Sequence, residues 1–175
     1  MKTRLVNSAR RALLVVGLAA CATWSGFSSS TSHAASASAD ATATVIVPIA
    51  IAKNADLVFG KFAAGTGGTV VMSTAGARSG TGGVVLSTVT PGNAASFTVS
   101  GDANATYTIT LPGNTTLTSG ANTMTAGTFV SNPSGTGTLS GAGSQTLLVG
   151  ATLTVGNAQA AGAYIGSFSM TVEYN

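Results

Sequence analysis

Cysteine and histidine are nearly absent from this sequence, which has one of each, Cys21 and His33. Both lie in the first 34 residues, so the long remainder of the chain has neither a thiol nor an imidazole. A disulfide scaffold is therefore excluded in that remainder, and its many serine and threonine hydroxyls have no histidine to activate them. We expect the chain not to be an enzyme.

Charged residues are also scarce, at 6% of the sequence. Beyond residue 34, three cations (Lys53, Lys61 and Arg78) oppose four carboxylates (Asp40, Asp56, Asp102 and Glu173), which gives a formal charge of −1. This balance offers no electrostatic attraction for nucleic acid. Because the carboxylates are scattered, the sequence predicts no metal site, no cofactor and no acid–base pair.

Basic residues concentrate at the N-terminus, where Lys2, Arg4, Arg10 and Arg11 precede an apolar run at residues 12–22. This order is typical of a signal peptide, and the run is too short to remain as a membrane span. The small residues around Ala34 predict cleavage after it, so residues 1–34 are interpreted as the signal peptide. We expect an exported protein in the periplasm, at the cell surface or outside the cell, with no membrane span after cleavage.

A second processing route depends on Cys21, because Leu18-Ala19-Ala20-Cys21 is similar to a bacterial lipobox. In that route Cys21 is lipidated and becomes the N-terminus of the mature chain. The apolar run before Cys21 is short and the cleavage site at Ala34 is well formed, so we favour free secretion over lipid anchoring.

Helical periodicity is missing from residues 35–175, whereas short apolar runs recur between glycine, asparagine and proline residues. Residues 35–44, nearly all Ser, Ala and Thr, are predicted to be a flexible N-terminal arm. Residues 45–175 are predicted to form one all-β domain, an immunoglobulin-like β-sandwich of about seven to eight antiparallel strands. The predicted strands cover residues 44–52, 69–73, 84–90, 95–100, 106–111, 124–131, 145–155 and 164–174.

Three segments stand out in residues 41–175. They are Ala41-Thr42-Ala43-Thr44-Val45, Asp56-Leu57-Val58-Phe59-Gly60, and a closing run from Val149-Gly150-Ala151-Thr152-Leu153 through Gly162-Ala163-Tyr164-Ile165-Gly166-Ser167-Phe168. Together they resemble a family of secreted bacterial β-sandwich proteins called domain of unknown function 4402. The family has no catalytic residues to carry over, so the resemblance implies a fold and leaves function open.

The C-terminal run also resembles the end of chaperone–usher pilins, which has a penultimate tyrosine and an alternating apolar strand. Here Tyr174 is penultimate, Gly162 lies twelve positions before it, and Phe168, Met170 and Val172 alternate between them. The resemblance implies that Phe168, Met170, Val172 and Tyr174 form a strand that pairs with a partner through its backbone.

A matching pattern lies near the other terminus, where Val45, Val47, Ile49 and Ile51 alternate and are candidate donor-strand contacts. The alternative is that they form the first strand of a self-complete domain, in which Pro48 marks an edge strand.

These patterns predict a non-enzymatic structural protein of the bacterial cell surface, of a fimbrial or pilin type, that assembles by strand exchange. Its partners would be identical subunits or a periplasmic chaperone, bound through strand pairing. The alternative is a secreted or lipid-anchored, adhesin-like binding module that contacts carbohydrate or protein. Exposed aromatic residues would favour that module, whereas the aromatic residues after Phe62 fall at predicted strand positions.

Overall fold

A computed structural model of the chain describes residues 33–175. The chain divides into two compact units, Met1–Thr42 and Ala43–Asn175. In the first unit the described residues, 33–42, are exposed and belong to no strand. The candidate lipidation site Cys21 and nearly all of the predicted signal peptide lie outside the described residues.

The second unit consists of antiparallel strands joined by turns and loops, and no helix occurs among residues 33–175. This confirms the all-β prediction. The strands are β1 (Ala50–Ala55), β2 (Phe62–Ala63), β3 (Gly68–Met72), β4 (Arg78–Gly82), β5 (Val85–Leu86), β6 (Ala95–Ser100), β7 (Thr106–Thr110), β8 (Thr115–Ser119), β9 (Asn122–Asn132), β10 (Thr136–Thr138), β11 (Ser144–Val155) and β12 (Thr171–Tyr174).

The strands form a large sheet, a small sheet and a two-stranded ribbon. The seven-stranded large sheet has the order β1-β6-β11-β3-β4, with β9 also paired to β11 and β8 paired to β9. The small sheet has the order β10-β7-β12, and β2 pairs with β5 in the ribbon. All pairs are antiparallel, and the curled arrangement is that of a β-sandwich.

The core lies between the sheets because alternate strand residues point inward. In β7, Tyr107 and Ile109 are buried while the threonines on either side are exposed, as the sequence pattern predicts. Burying an aliphatic or aromatic side chain of this kind stabilises the fold by about 1.5–3 kcal/mol. The buried residues form two clusters, one around Val70, Met72 and Leu153 and the other around Tyr107, Leu139 and Leu147.

The first predicted strand, residues 44–52, is wrong at both ends. Strand β1 begins at Ala50, where it meets Ser100 at the end of β6, and it continues to Ala55. Residues before Ala50 lie past the end of the β6 ladder, and Pro48 has no N–H group to donate.

The last predicted strand, residues 164–174, is also shorter than expected. Ile165 forms an isolated bridge with Thr118 of the large sheet, whereas Thr171–Tyr174 pair with β7 of the small sheet. The chain crosses between the two sheets in residues 166–170, so these residues pair with neither sheet in the described structure. Likewise, only Val85–Leu86 of the predicted strand 84–90 is a named strand.

Candidate functional site

The chain enters the domain through residues 43–49, which we call the entry segment. This segment is charge-free, and among the described residues it belongs to no strand pair. Apart from Ile49, its apolar side chains face solvent: Val45 is 96% exposed, Ile46 53% and Val47 55%. Exposed apolar residues in a continuous run are unusual on a monomer surface and are typical of a contact surface.

The phenol of Tyr174 anchors the entry segment to the domain. Its hydroxyl donates to the Val47 carbonyl at 2.7 Å and accepts from the Asp102 backbone N–H at 2.6 Å. Gly101 makes this approach feasible, because a Cβ atom at that position would overlap the Tyr174 hydroxyl. The backbone is therefore held at Val47 while the Val47 side chain stays exposed.

The four candidate donor residues, Val45, Val47, Ile49 and Ile51, differ in their exposure. Val45 and Val47 lie in the exposed entry segment, whereas Ile49 and Ile51 are half-buried and pack against the domain's own core. Ile51 belongs to β1 and is opposite Val99 of β6. Burial of this kind agrees with the self-complete interpretation for Ile49 and Ile51, and the donor interpretation is limited to residues 45–47.

The four C-terminal candidates all contact the second core cluster. Val172 is buried and lies opposite Ile109, while Phe168, Met170 and Tyr174 are half-buried. The Phe168 ring lies 5.0 Å from the Phe129 ring and 6.3 Å from the Phe97 ring, the latter edge-on. These rings hold Phe168 in place although residues 166–170 belong to no strand pair in the described structure.

A partly open apolar groove of about 1300 Å³ lies beside Phe168. Its floor is formed by residues of the large sheet, and its two walls are formed by residues 56–64 and residues 159–168. The sequence analysis named Phe168 as part of a pairing strand and did not predict the groove. The apolar residues that line the groove include Leu57, Phe59, Phe62, Phe97, Leu117, Met124, Ala126, Phe129, Leu153, Tyr164 and Phe168.

A family model described as Domain of unknown function (DUF4402) matches residues 49–174. The chain belongs to this family. The match begins at Ile49 and ends at Tyr174, so it covers the folded strands and leaves out most of the entry segment. Neither the comparison with curated proteins nor the comparison with solved structures gave a significant match.

Arg78 fixes one wall of the groove in this DUF4402 domain. Its guanidinium donates to the carbonyl of Phe59 at 2.8 Å and of Lys61 at 3.1 Å, and also to the carbonyl of Ser87. One planar cation thus satisfies three carbonyl groups of the loops around β2 and β5. No sequence pattern indicated this role for Arg78.

Gln159 and Tyr164 fix the other wall. The Gln159 amide donates to the Tyr164 hydroxyl at 2.8 Å and to the Thr123 carbonyl at 3.1 Å. The Tyr164 hydroxyl donates in turn to the Ala160 carbonyl at 2.8 Å. The loop is therefore hydrogen-bonded to the start of β9. Side-chain hydrogen bonds thus hold both walls of the groove in position.

The charged side chains that line the groove of the DUF4402 domain, Lys53, Asp56 and Lys61, are exposed. Lys53 pairs with Asp56 at 2.6 Å on the exposed rim, where such a pair adds little stability. No cluster of three or more potential metal-ligating residues occurs within residues 33–175. Asp102 contributes its backbone N–H to Tyr174, in keeping with a turn.

Two further observations concern binding. All eight aromatic side chains among the described residues are buried or half-buried. In the same part of the chain, no helix is both long and apolar enough to cross a membrane.

Proposed function

We propose that this DUF4402 protein is a non-enzymatic, exported structural subunit of the bacterial cell surface that assembles with copies of itself by strand exchange. One observation carries the proposal. The entry segment presents Val45, Ile46 and Val47 to solvent immediately before the first strand of the fold.

The chemistry of the entry segment supports strand exchange. Valine and isoleucine favour extended backbone, and the segment has no charged residue to oppose burial. A strand added to a neighbour gains backbone hydrogen bonds and places alternate side chains in apolar pockets. Each such side chain, once buried, contributes about 1.5–3 kcal/mol.

Size-exclusion chromatography with light scattering of residues 35–175 tests this function. We expect the wild type to form oligomers that grow with concentration, and Val47→Asp to remain monomeric. Because the Val47 side chain is 55% exposed in the domain, the variant's melting temperature should match that of the wild type.

Val89→Asp is the matched control, since Val89 is another exposed apolar residue, at 88%, and lies outside the entry segment. It should assemble like the wild type. A wild type that stays monomeric at all concentrations, or a Val47→Asp protein that assembles normally, would sink the proposal.

A further inference from the structure

We propose that the groove of one subunit receives the entry segment of a second copy, so that subunits join head to tail. This inference rests on the proposed function and adds the acceptor site and the polarity of assembly.

The entry segment and the groove lie at opposite ends of β1. Ala50, where the segment joins the sheet, is opposite Ser100 at the end of β6. Ala55 is opposite Ser96, and both Ala55 and the adjacent Ala95 line the groove. Five residue steps along an extended strand separate these ends by about 17 Å. The segment points away from its own groove, so a second copy is the natural acceptor.

The size and chemistry of the groove fit a strand better than a small molecule. Its volume of about 1300 Å³ exceeds the roughly 300–1,000 Å³ of most ligand sites. The charged residues that line it, Lys53, Asp56 and Lys61, are exposed, whereas its floor is apolar. An uncharged run of valine and isoleucine side chains complements that floor.

Backbone partners are present beside the groove. Residues 166–170 form no strand pair within the described structure, and Phe168 in their centre lines the groove. Strand β12, which follows, is the terminal strand of the small sheet. An incoming segment can therefore pair with this edge while its side chains enter the groove.

Head-to-tail contact has a geometric consequence. Each subunit uses one surface as donor and a different surface as acceptor, so the contact is heterologous. Such a contact continues from copy to copy unless the rotation closes a ring. Every internal subunit would have its groove filled and its entry segment buried.

A complementation experiment with two charged variants of residues 35–175 tests this inference. Val47→Asp impairs the donor and keeps the groove, whereas Leu117→Asp impairs the groove and keeps the donor. Leu117 lines the groove from β8, and its neighbour Thr116 is exposed on the other face, so Thr116→Asp is the matched control.

Each variant alone should stay monomeric, and a one-to-one mixture should give a species of twice the monomer mass that grows no further. Thr116→Asp should assemble like the wild type. A mixture that stays monomeric while the wild type assembles would overturn the inference. Assembly of Leu117→Asp alone would also overturn it, yet leave the proposed function intact if Val47→Asp still blocks assembly.

Cysteine cross-linking keeps the test decisive if Leu117→Asp fails to fold. The chain has no cysteine after Cys21, so introduced thiols report a single contact. Val47→Cys mixed with Leu117→Cys should give at least tenfold more disulfide-linked dimer than Val47→Cys mixed with Thr116→Cys. Equal yields of the two dimers would refute the groove as acceptor.

Discussion

The two ends of the sandwich are built differently. At one end, which we call the closed end, Tyr107, Leu139 and Leu147 are fully or almost fully buried, and the Tyr107 hydroxyl donates to Gln145 Oε1 at 2.7 Å. At the groove end, Leu57, Phe62 and Leu117 are only half-buried and line a space of about 1300 Å³. The difference indicates that stability is concentrated at the closed end, whereas the groove end keeps apolar surface available for a partner.

The largest expected effect compares two leucines, the fully buried Leu147 of β11 at the closed end and the half-buried Leu117 of β8 at the groove end. Leu147→Ala should lower the free energy of unfolding by up to about 5 kcal/mol, because a new cavity forms in a packed core. Leu117→Ala should lie near the lower limit of about 2 kcal/mol, because Leu117 is half-buried and lines the groove. Urea titrations of both variants measure the difference. Equal losses would contradict the contrast between the ends.

The next largest change in stability is expected at Arg78, whose hydrogen bonds hold one wall of the groove in position. Arg78→Ala removes the donor for three loop carbonyls and should cost about 1.5–3 kcal/mol in urea unfolding. Arg78→Lys should recover only part of this loss, because an ammonium group lacks the planar fork that reaches several carbonyls at once. Full recovery by lysine would show that the charge alone matters.

A smaller effect is expected at Gly137 of the closed end. A Cβ atom there would overlap the Tyr107 ring, and it would lie 2.7 Å from Gln145 Oε1. Gly137→Ala should therefore lower the free energy of unfolding by about 1–3 kcal/mol through overpacking. Gly113→Ala is the control, since no atom lies within 4 Å of the added carbon, and it should change stability by less than about 0.5 kcal/mol. Similar thermal melts for the two variants would argue against close packing at Gly137.

The closed end was the more predictable of the two from sequence. In β7, Thr106–Thr110, threonines alternate with Tyr107 and Ile109, so the local pattern alone identifies which side chains face the core. Strand β4 has no such pattern: its residues are Arg-Ser-Gly-Thr-Gly, and its pairing with β3 supplies the structure. Short polar strands of this kind, β8 and β10 among them, depend on neighbours that the sequence does not reveal.

The groove could not be predicted because its walls are loops that are distant in sequence. Phe59 and Tyr164 meet the same cavity only after the large sheet has formed. The alternation of Val45, Val47, Ile49 and Ile51 likewise did not indicate which of these side chains are exposed and which are half-buried. The division depends on the second core cluster, which Ile49 and Ile51 contact, and on the Tyr174 hydroxyl, which holds the backbone at Val47.

The smallest change in stability is expected from the loss of one hydrogen bond at the closed end. Tyr107→Phe removes the hydroxyl that donates to Gln145 and should cost about 0.5–1.5 kcal/mol at neutral pH. Burial raises the pKa of Tyr107 above its ordinary value of 10.0. The folded state therefore keeps this proton at a pH where the unfolded chain releases it, so its contribution to stability is complete below about pH 10 and declines above it.

Urea titrations between pH 8 and pH 11 should accordingly show the wild type losing stability faster than Tyr107→Phe as pH rises above about 10. Other titrating groups are common to both proteins, so the difference between the two curves reports Tyr107 alone. Parallel curves would mean that solvent reaches the phenol and that the closed end is looser than its packing indicates.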